Sequence, residues 1–294
     1  MSRLYFYSLL LSFCCVSCSK QPTSAGTTRP VQGGTNNPDT IGHNIVLYGI
    51  TWQGGSNNLG TIFRIHGDGT NFESLYNFDA GSGGHCYTGL CQAPNGKFYG
   101  VSANNFFSFD PAGNKVELLS GGAVISPVDQ VFSGFTLASD GKLYSGASDG
   151  LFAVEPASGT LKYVYKYLSS DGRSPIRGRL TAYNDLLYGA LPNGGSDLLG
   201  EGTLFSFKPS TNSFRKLHDF TGTDTLGGVP LANICVGANN TLYGYTLTTG
   251  KLSDTAGILY KYNLGNNTFS RISRLNLENG YSPFCNSGLI QTSA

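Results

Sequence analysis

The side chains with the most chemical capacity sit in Gly-rich stretches between short apolar runs. Trp52, the single tryptophan, stands beside Gln53-Gly54-Gly55. An indole in such a loop is either a platform for a sugar or apolar ligand or a packed loop aromatic. His85 and Tyr87 follow Gly83-Gly84, and Arg173 and Arg177 lie close to Asp171, with Arg179 two residues further on. Asp224 and Tyr281 occupy two more polar segments. Grouped guanidinium groups meet a carboxylate or phosphate well; the alternative is solvated charge paired with Asp171 and Asp129. The four histidines, at 43, 66, 85 and 218, share no metal-ligand spacing. No EF-hand loop and no Gly-x-Ser-x-Gly elbow occurs, and Asp68-Gly69-Thr70-Asn71 reads as a turn. The expectation is therefore no metal and no cofactor.

Composition describes the frame for these residues. Glycine supplies 41 of 294 residues, charged residues only 13% and aromatics 12%. That is about twice the usual glycine and half the usual charge, the signature of a turn-dense β protein. Helical bundles and coiled coils need charged faces that this chain lacks. An apolar share of 39% is enough for a real core. A net charge of +1 with no basic run removes the electrostatic basis for binding nucleic acid.

At the N-terminus Arg3 precedes an apolar run from Leu4 to Val16. The run is too short to span a bilayer and has the length of a signal-peptide core. Ser17-Cys18 resembles a bacterial lipobox, although Cys15 stands where Leu is usual. The resemblance implies cleavage before Cys18 and lipidation of its thiol. The expected organisation is a lipoprotein signal peptide at 1–17, an anchor and Ser/Thr/Gly/Pro/Asn-rich tether at 18–43, and a folded region at 44–294.

The folded region repeats one unit. Leu47-Tyr48-Gly49, Phe98-Tyr99-Gly100, Leu143-Tyr144-Ser145, Leu187-Tyr188-Gly189 and Leu242-Tyr243-Gly244 recur at intervals of 44 to 55 residues. Ten residues before the last four of these tyrosines stand Gly89-Leu90, Gly134-Phe135, Gly178-Arg179 and Asn233-Ile234. Aromatic runs follow the Tyr, and a further β run closes each unit. A period of this length with short β runs predicts a propeller of four-stranded blades, with strands a to d running from the channel outwards. The first unit lacks strand a, and Gly288–Ala294 is an orphan copy of it. The prediction is an all-β, five-bladed β-propeller whose C-terminal strand joins the N-terminal blade and closes the ring.

These residues also carry a resemblance. Leu47-Tyr48-Gly49, Gly54-Gly55 and Gly60-Thr61-Ile62-Phe63, matched again across 187–205, together with Gly228-Val229-Pro230, resemble the GloVer-type tandem repeat of bacterial envelope proteins. The resemblance covers about 250 residues, is weakest in the second and third copies, which lack the Gly-Gly loop, and implies no activity residue by residue.

Loop lengths select a face. The b-to-c offset is 15, 8, 8, 17 and 17 residues in chain order, whereas the a-to-b and c-to-d offsets hold constant. Variation on a fixed scaffold marks where sites are built, so the b–c and d–a loops form the expected working face, with tall walls at blades 1, 4 and 5. Trp52, His85, Tyr87, Arg173, Arg177, Asp224 and Tyr281 are the expected ligand-binding residues there. None of the five expected a strands contains Asp or Glu, which argues against a glycosidase needing converging carboxylates. The leading reading is a monomeric glycan- or protein-binding or scaffold module of the cell envelope, held to the outer membrane only by its lipid. The alternative is a glycan-acting hydrolase or lyase using loop residues such as Asp129, Asp197, Glu201 and Asp224. Cys86 and Cys285 share one offset in neighbouring blades and are a candidate disulfide in an oxidising compartment. Cys91 and Cys235 share a packing position that suits buried free thiols.

Overall fold

A computed structural model describes residues 45–86, 88–102, 105–119, 133–173, 178–196, 200–221, 227–231, 233–237, 239–249, 256–276 and 289. The expected leader, Cys18 and the tether lie outside the described residues, as do Tyr87, Arg177, Asp224, Tyr281 and Cys285.

The described chain is all β, folded as five antiparallel sheets in sequence. The first holds β1 (Val46–Ile50), β2 (Thr61–His66) and β3 (Glu73–Asn77). The second holds β4 (Cys91–Gln92), β5 (Phe98–Val101), β6 (Phe106–Asp110) and β7 (Lys115–Leu118); the third holds β8 (Thr136–Leu137), β9 (Leu143–Gly146), β10 (Gly150–Glu155) and β11 (Thr160–Lys166). The fourth holds β12 (Thr181–Tyr183), β13 (Leu186–Leu191), β14 (Thr203–Lys208) and β15 (Ser213–Asp219). The fifth holds β16 (Gly228–Pro230), β17 (Cys235–Gly237), β18 (Thr241–Thr248), β19 (Ile258–Asn263) and β20 (Thr268–Arg274). Three of the five are four-stranded meanders, the arrangement of a propeller blade.

Two details differ from the sequence expectation. The inner strands are only two or three residues long, because turns such as Ala93–Lys97 and Ala138–Lys142 take up the following residues. The fifth sheet carries the additional β16, which pairs with the far end of β18 while β17 pairs with its near end. In the expected closing segment, Leu289 is described; it lies outside any strand and is 37% exposed.

The repeated tripeptide has a packing cause. Gly49, Gly100, Gly189 and Gly244 lie directly opposite Phe63, Phe107, Phe205 and Tyr260 in the ladders. Each aromatic ring folds over its glycine, so a Cβ would stand only 2.3, 2.4, 2.6 and 2.5 Å from a ring atom. The third sheet places Ser145 opposite Phe152 instead. The tyrosine between points to the other face, towards the next sheet: Tyr99 and Tyr144 are buried, and Tyr99 Oη donates to Pro156 O of the third sheet at 3.2 Å.

Four apolar clusters fill the spaces between consecutive sheets. On the glycine face of the second to fifth sheets, the residue before the Tyr, the aromatic and the residue two beyond it are all buried. Phe98, Phe107 and Phe109 show this, as do Leu187, Phe205 and Phe207. The equivalents in the first sheet, Leu47, Phe63 and Ile65, are only half-buried. β-Bulges in four sheets add one aliphatic residue each to the outer strand, at Leu75, Val164, Leu217 and Ile272. The first three pack into the cluster shared with the next sheet, whereas Ile272 is 45% exposed.

Candidate functional site

Antiparallel order places the long β1–β2, β13–β14 and β18–β19 loops at one edge, together with the connections between sheets. Two of these loops share one design. Gly55 sits over Asn77 and Thr61, and Gly195 over Asp219 and Thr203, so closely that a Cβ would be 2.5 and 2.8 Å from the Asn77 and Asp219 Oδ1 atoms. The next residue's N–H donates to that Oδ1 in both, from Ser56 at 3.1 Å and Ser196 at 3.0 Å. Gly60 and Gly202 close the loops with N–H bonds to Gly54 O and Gly194 O, at φ of 99° and 103°. Side chains on these loops therefore stand on a fixed backbone.

The structure brings Trp52 and His85 together. Their rings lie 4.7 Å apart at 41°, and His85 Nδ1 is 3.2 Å from Trp52 O. His85 takes a φ of 46° while its N–H donates to Leu59 O at 2.9 Å. The sheet-to-sheet connection is thus tied to the β1–β2 loop, with Trp52 left 37% exposed. Arg173 is exposed, and its backbone bridges Asn193 in the β13–β14 loop. Asp171 does not pair with it: this buried carboxylate accepts from Tyr165 Oη at 2.7 Å and Leu168 N at 2.8 Å. Glu201, a loop carboxylate of the hydrolase alternative, is 1% exposed, accepts from Thr248 Oγ1 at 3.1 Å and lies against Gly228.

Two groupings on this face tie together segments that are distant in sequence. Lys216 Nζ lies 2.8 Å from Asp219 Oδ2 and also donates to Ser170 O and Ser196 Oγ, joining three segments. Burial opposes ionisation of Asp219, but Lys216 and Ser196 outweigh it and hold the carboxyl below its usual value. The second grouping lies where the inner strands begin. Arg179 N donates to Asn233 Oδ1 of the fifth sheet, and its Nη2 donates to Leu90 O of the second sheet at 3.3 Å. Beneath it is Gly134 of the third sheet, where a Cβ would stand 2.8 Å from Arg179 Nε and 3.3 Å from Thr88 Cβ. One residue of the fourth sheet, by its backbone and its side chain, so reaches the starts of three others. Burial lowers its pKa, opposed by Cys91. A signal for it existed: the repeat holds Leu90, Phe135 and Ile234 at the same position, and Arg179 is the charged misfit.

Cys86, Cys91 and Cys235 are free thiols, the first two buried; burial pushes Cys86 up to about 12. Cys285, the expected disulfide partner of Cys86, is outside the described residues. Among the described residues, no group of three or more His, Cys, Asp or Glu gathers as a metal site, and no helix is long and apolar enough to cross a membrane. At the opposite edge, a depression of about 410 Å³ is lined by Arg64, His66, Asn71, Phe72 and Glu73. Its Arg64 and Glu73 pair with each other at 2.7 Å.

The fold is similar to two solved structures from B. thetaiotaomicron. With the extracellular domain of the hybrid two component system BT3049 the TM-score is 0.53 at 17% identity over 82% of this chain. With the extracellular domain of the one component system BT4673 it is 0.51 at 13% identity over 78%. The chain spans 28% of the length of each. It matches no curated protein. The repeat itself gives the family: the Gloeobacter/Verrucomicrobia repeat matches residues 104–294, the larger part of the sequence, and the chain belongs to that family.

Proposed function

We propose that this chain is a binding module of the bacterial cell envelope: a five-bladed propeller, lipid-anchored at Cys18, that holds a glycan or a partner protein over its loop face. Trp52 and His85 form the centre of the contact, with Tyr87, Arg173, Arg177, Asp224 and Tyr281 around it. The observation that carries this reading is the exposed Trp52 ring fixed against His85 by two separate connections. A rigid aromatic with one open face and a polar neighbour suits both sugar stacking and a protein hot spot. The similarity to extracellular domains supports a place outside the cytoplasm.

Ring closure belongs to the same proposal. Tyr243 and Ile272 of the fifth sheet and Leu47, Phe63 and Ile65 of the first are the side-chain types that meet at the other four interfaces; here Ile272 is exposed and the other four are half-buried. Residues 288–294 are the segment available to join the first sheet. A chain ending at Ser287 should melt far below the full chain, while deletion of 19–40 should be nearly neutral. A melting point for the shorter chain within a few degrees of the full protein rules the closure out.

Binding is tested by screening the protein on a glycan array and against envelope proteins, then repeating with Trp52→Ala. The expected loss is about 1–3 kcal/mol of binding with little change in melting temperature. Controls at Asp68 and Asn114, on the opposite edge, should bind normally; equal loss there would refute the choice of face.

A further inference from the structure

We propose that the depression lined by Arg64, His66, Asn71, Phe72 and Glu73 is a second binding site, separate from the loop face, which takes one neutral pyranose unit of a glycan against the open ring of Phe72. The place of Phe72 in the repeat gives the reason. Phe72, Phe214 and Phe269 stand two residues before the ladder partners of Phe63, Phe205 and Tyr260. Each lies against that aromatic of its own sheet, with ring centroids 5.3, 4.7 and 5.1 Å apart. In the fourth and fifth sheets the ring is then covered by the sheet before: Tyr165 stacks on Phe214 at 4.9 Å and His218 on Phe269 at 3.8 Å. Tyr165 and His218 are themselves equivalent, opposite Leu151 and Leu204 in their ladders, and the fifth sheet places Ser273 there, opposite Leu259. The sheet that comes beside the first in a closed ring thus offers a hydroxymethyl where the others offer a ring. Phe72 is 62% exposed, whereas Phe214 and Phe269 are half-buried.

The depression itself is the second observation. Its volume of about 410 Å³ falls within the range of about 300–1,000 Å³ usual for small-ligand sites. Arg64 and Glu73 face each other in the β2–β3 ladder. Arg64 Nε and Nη2 both donate to Glu73 Oε2, at 2.9 and 2.7 Å, so Oε1 keeps its lone pairs for another donor. Asn71, at a φ of 54°, brings its Nδ2 to 3.5 Å from His66 Nδ1 and carries an amide oxygen besides. His66 N donates to Thr70 O at 2.9 Å, which ties the turn bearing these groups to β2. The Arg64–Glu73 pair is balanced, so the depression presents neither a bare cation to an anion nor a bare carboxylate to a cation. It presents an apolar ring face bordered by hydrogen-bond donors and acceptors. A pyranose is the complement, with C–H groups on one face and hydroxyls at its rim that both donate and accept. An aromatic side chain in the same place would desolvate the polar border without pairing it, which is unfavourable.

The test is saturation-transfer NMR of the full chain with the methyl glycosides of glucose, galactose, mannose and N-acetylglucosamine, with phenylalaninamide and inorganic phosphate as the competing classes. At least one glycoside should bind saturably at millimolar concentration, and phosphate should not. Phe72→Ala should weaken that glycoside by about tenfold or more, and Glu73→Gln by about three- to tenfold. Phe72→Tyr keeps the ring and should hold binding within about twofold. Phe72→Ala should move the melting temperature little, since most of the ring is already in water, and Glu73→Gln decides the matter if that variant fails to fold. Absence of saturable binding by any glycoside overturns the proposal, as does binding unchanged by Phe72→Ala or by Glu73→Gln. Tighter binding of phenylalaninamide than of every glycoside makes an aromatic side chain the occupant and overturns it equally. Trp52→Ala separates this site from the loop face: it should leave binding at Phe72 unchanged, and glycoside binding that is lost with Trp52→Ala but kept with Phe72→Ala removes only the site at Phe72.

Discussion

Phe205→Ala should destabilise the chain by about 3–5 kcal/mol, the cost of emptying a fully buried phenyl site, measured by urea unfolding. The ring is 0% exposed, covers Gly189 and stacks on Phe214 at 4.7 Å. Removing it opens a cavity between the third and fourth sheets that the rigid ladders of β13 and β14 cannot collapse to fill. Phe63→Ala, at the same place in the repeat, should cost clearly less, because Phe63 is half-buried. Equal losses at the two positions would show that the glycine face of the first sheet is as well covered as that of the fourth.

The second large effect is on the loop glycines. Gly202→Ala should cost about 2–6 kcal/mol, combining a backbone region that L side chains avoid with an overpacking clash. Its φ is 103°, and a Cβ would stand 2.4 Å from Leu191 O, a strand carbonyl with no freedom to retreat. Gly54 has a similar φ of 93° but nothing within 4 Å of its Cβ. Gly54→Ala should therefore show the conformational cost alone, about 1–3 kcal/mol. Melting curves of the two variants separate the terms; an indistinguishable pair would mean that the Leu191 carbonyl gives way.

Much of the fold was readable because each repeat unit solves the same packing problem. Leu-Tyr-Gly is visible in sequence since the ring opposite leaves room only for glycine or, in the third sheet, serine, and the loop-length contrast is visible since the ladders on either side are fixed. The bulges were not readable: Leu75, Val164, Leu217 and Ile272 differ in no way from ordinary strand residues, and only the register shows that they are extra, the first three packing towards the next sheet. β16 was hidden because Gly228-Val229-Pro230 has turn composition, and its pairing depends on Gly228 fitting against the buried Glu201. Of the candidate site, the contrast between long and short loops was legible in the sequence. The Trp52–His85 contact was not, since 33 residues separate them and a positive φ at His85 makes the meeting.

The order of the sheets has a consequence for how the chain is made. The four well-covered interfaces all join neighbours in sequence, so each sheet can stack on its predecessor soon after synthesis. Among the described residues, no sheet precedes the first. At about 5–20 residues per second, the remaining chain takes tens of seconds to emerge, and throughout that time Leu47, Phe63 and Ile65 present an apolar surface beside an unpaired edge of β1. The first unit is thus the one that most needs shielding before assembly is complete, and it is the part of the molecule where aggregation during biogenesis would begin.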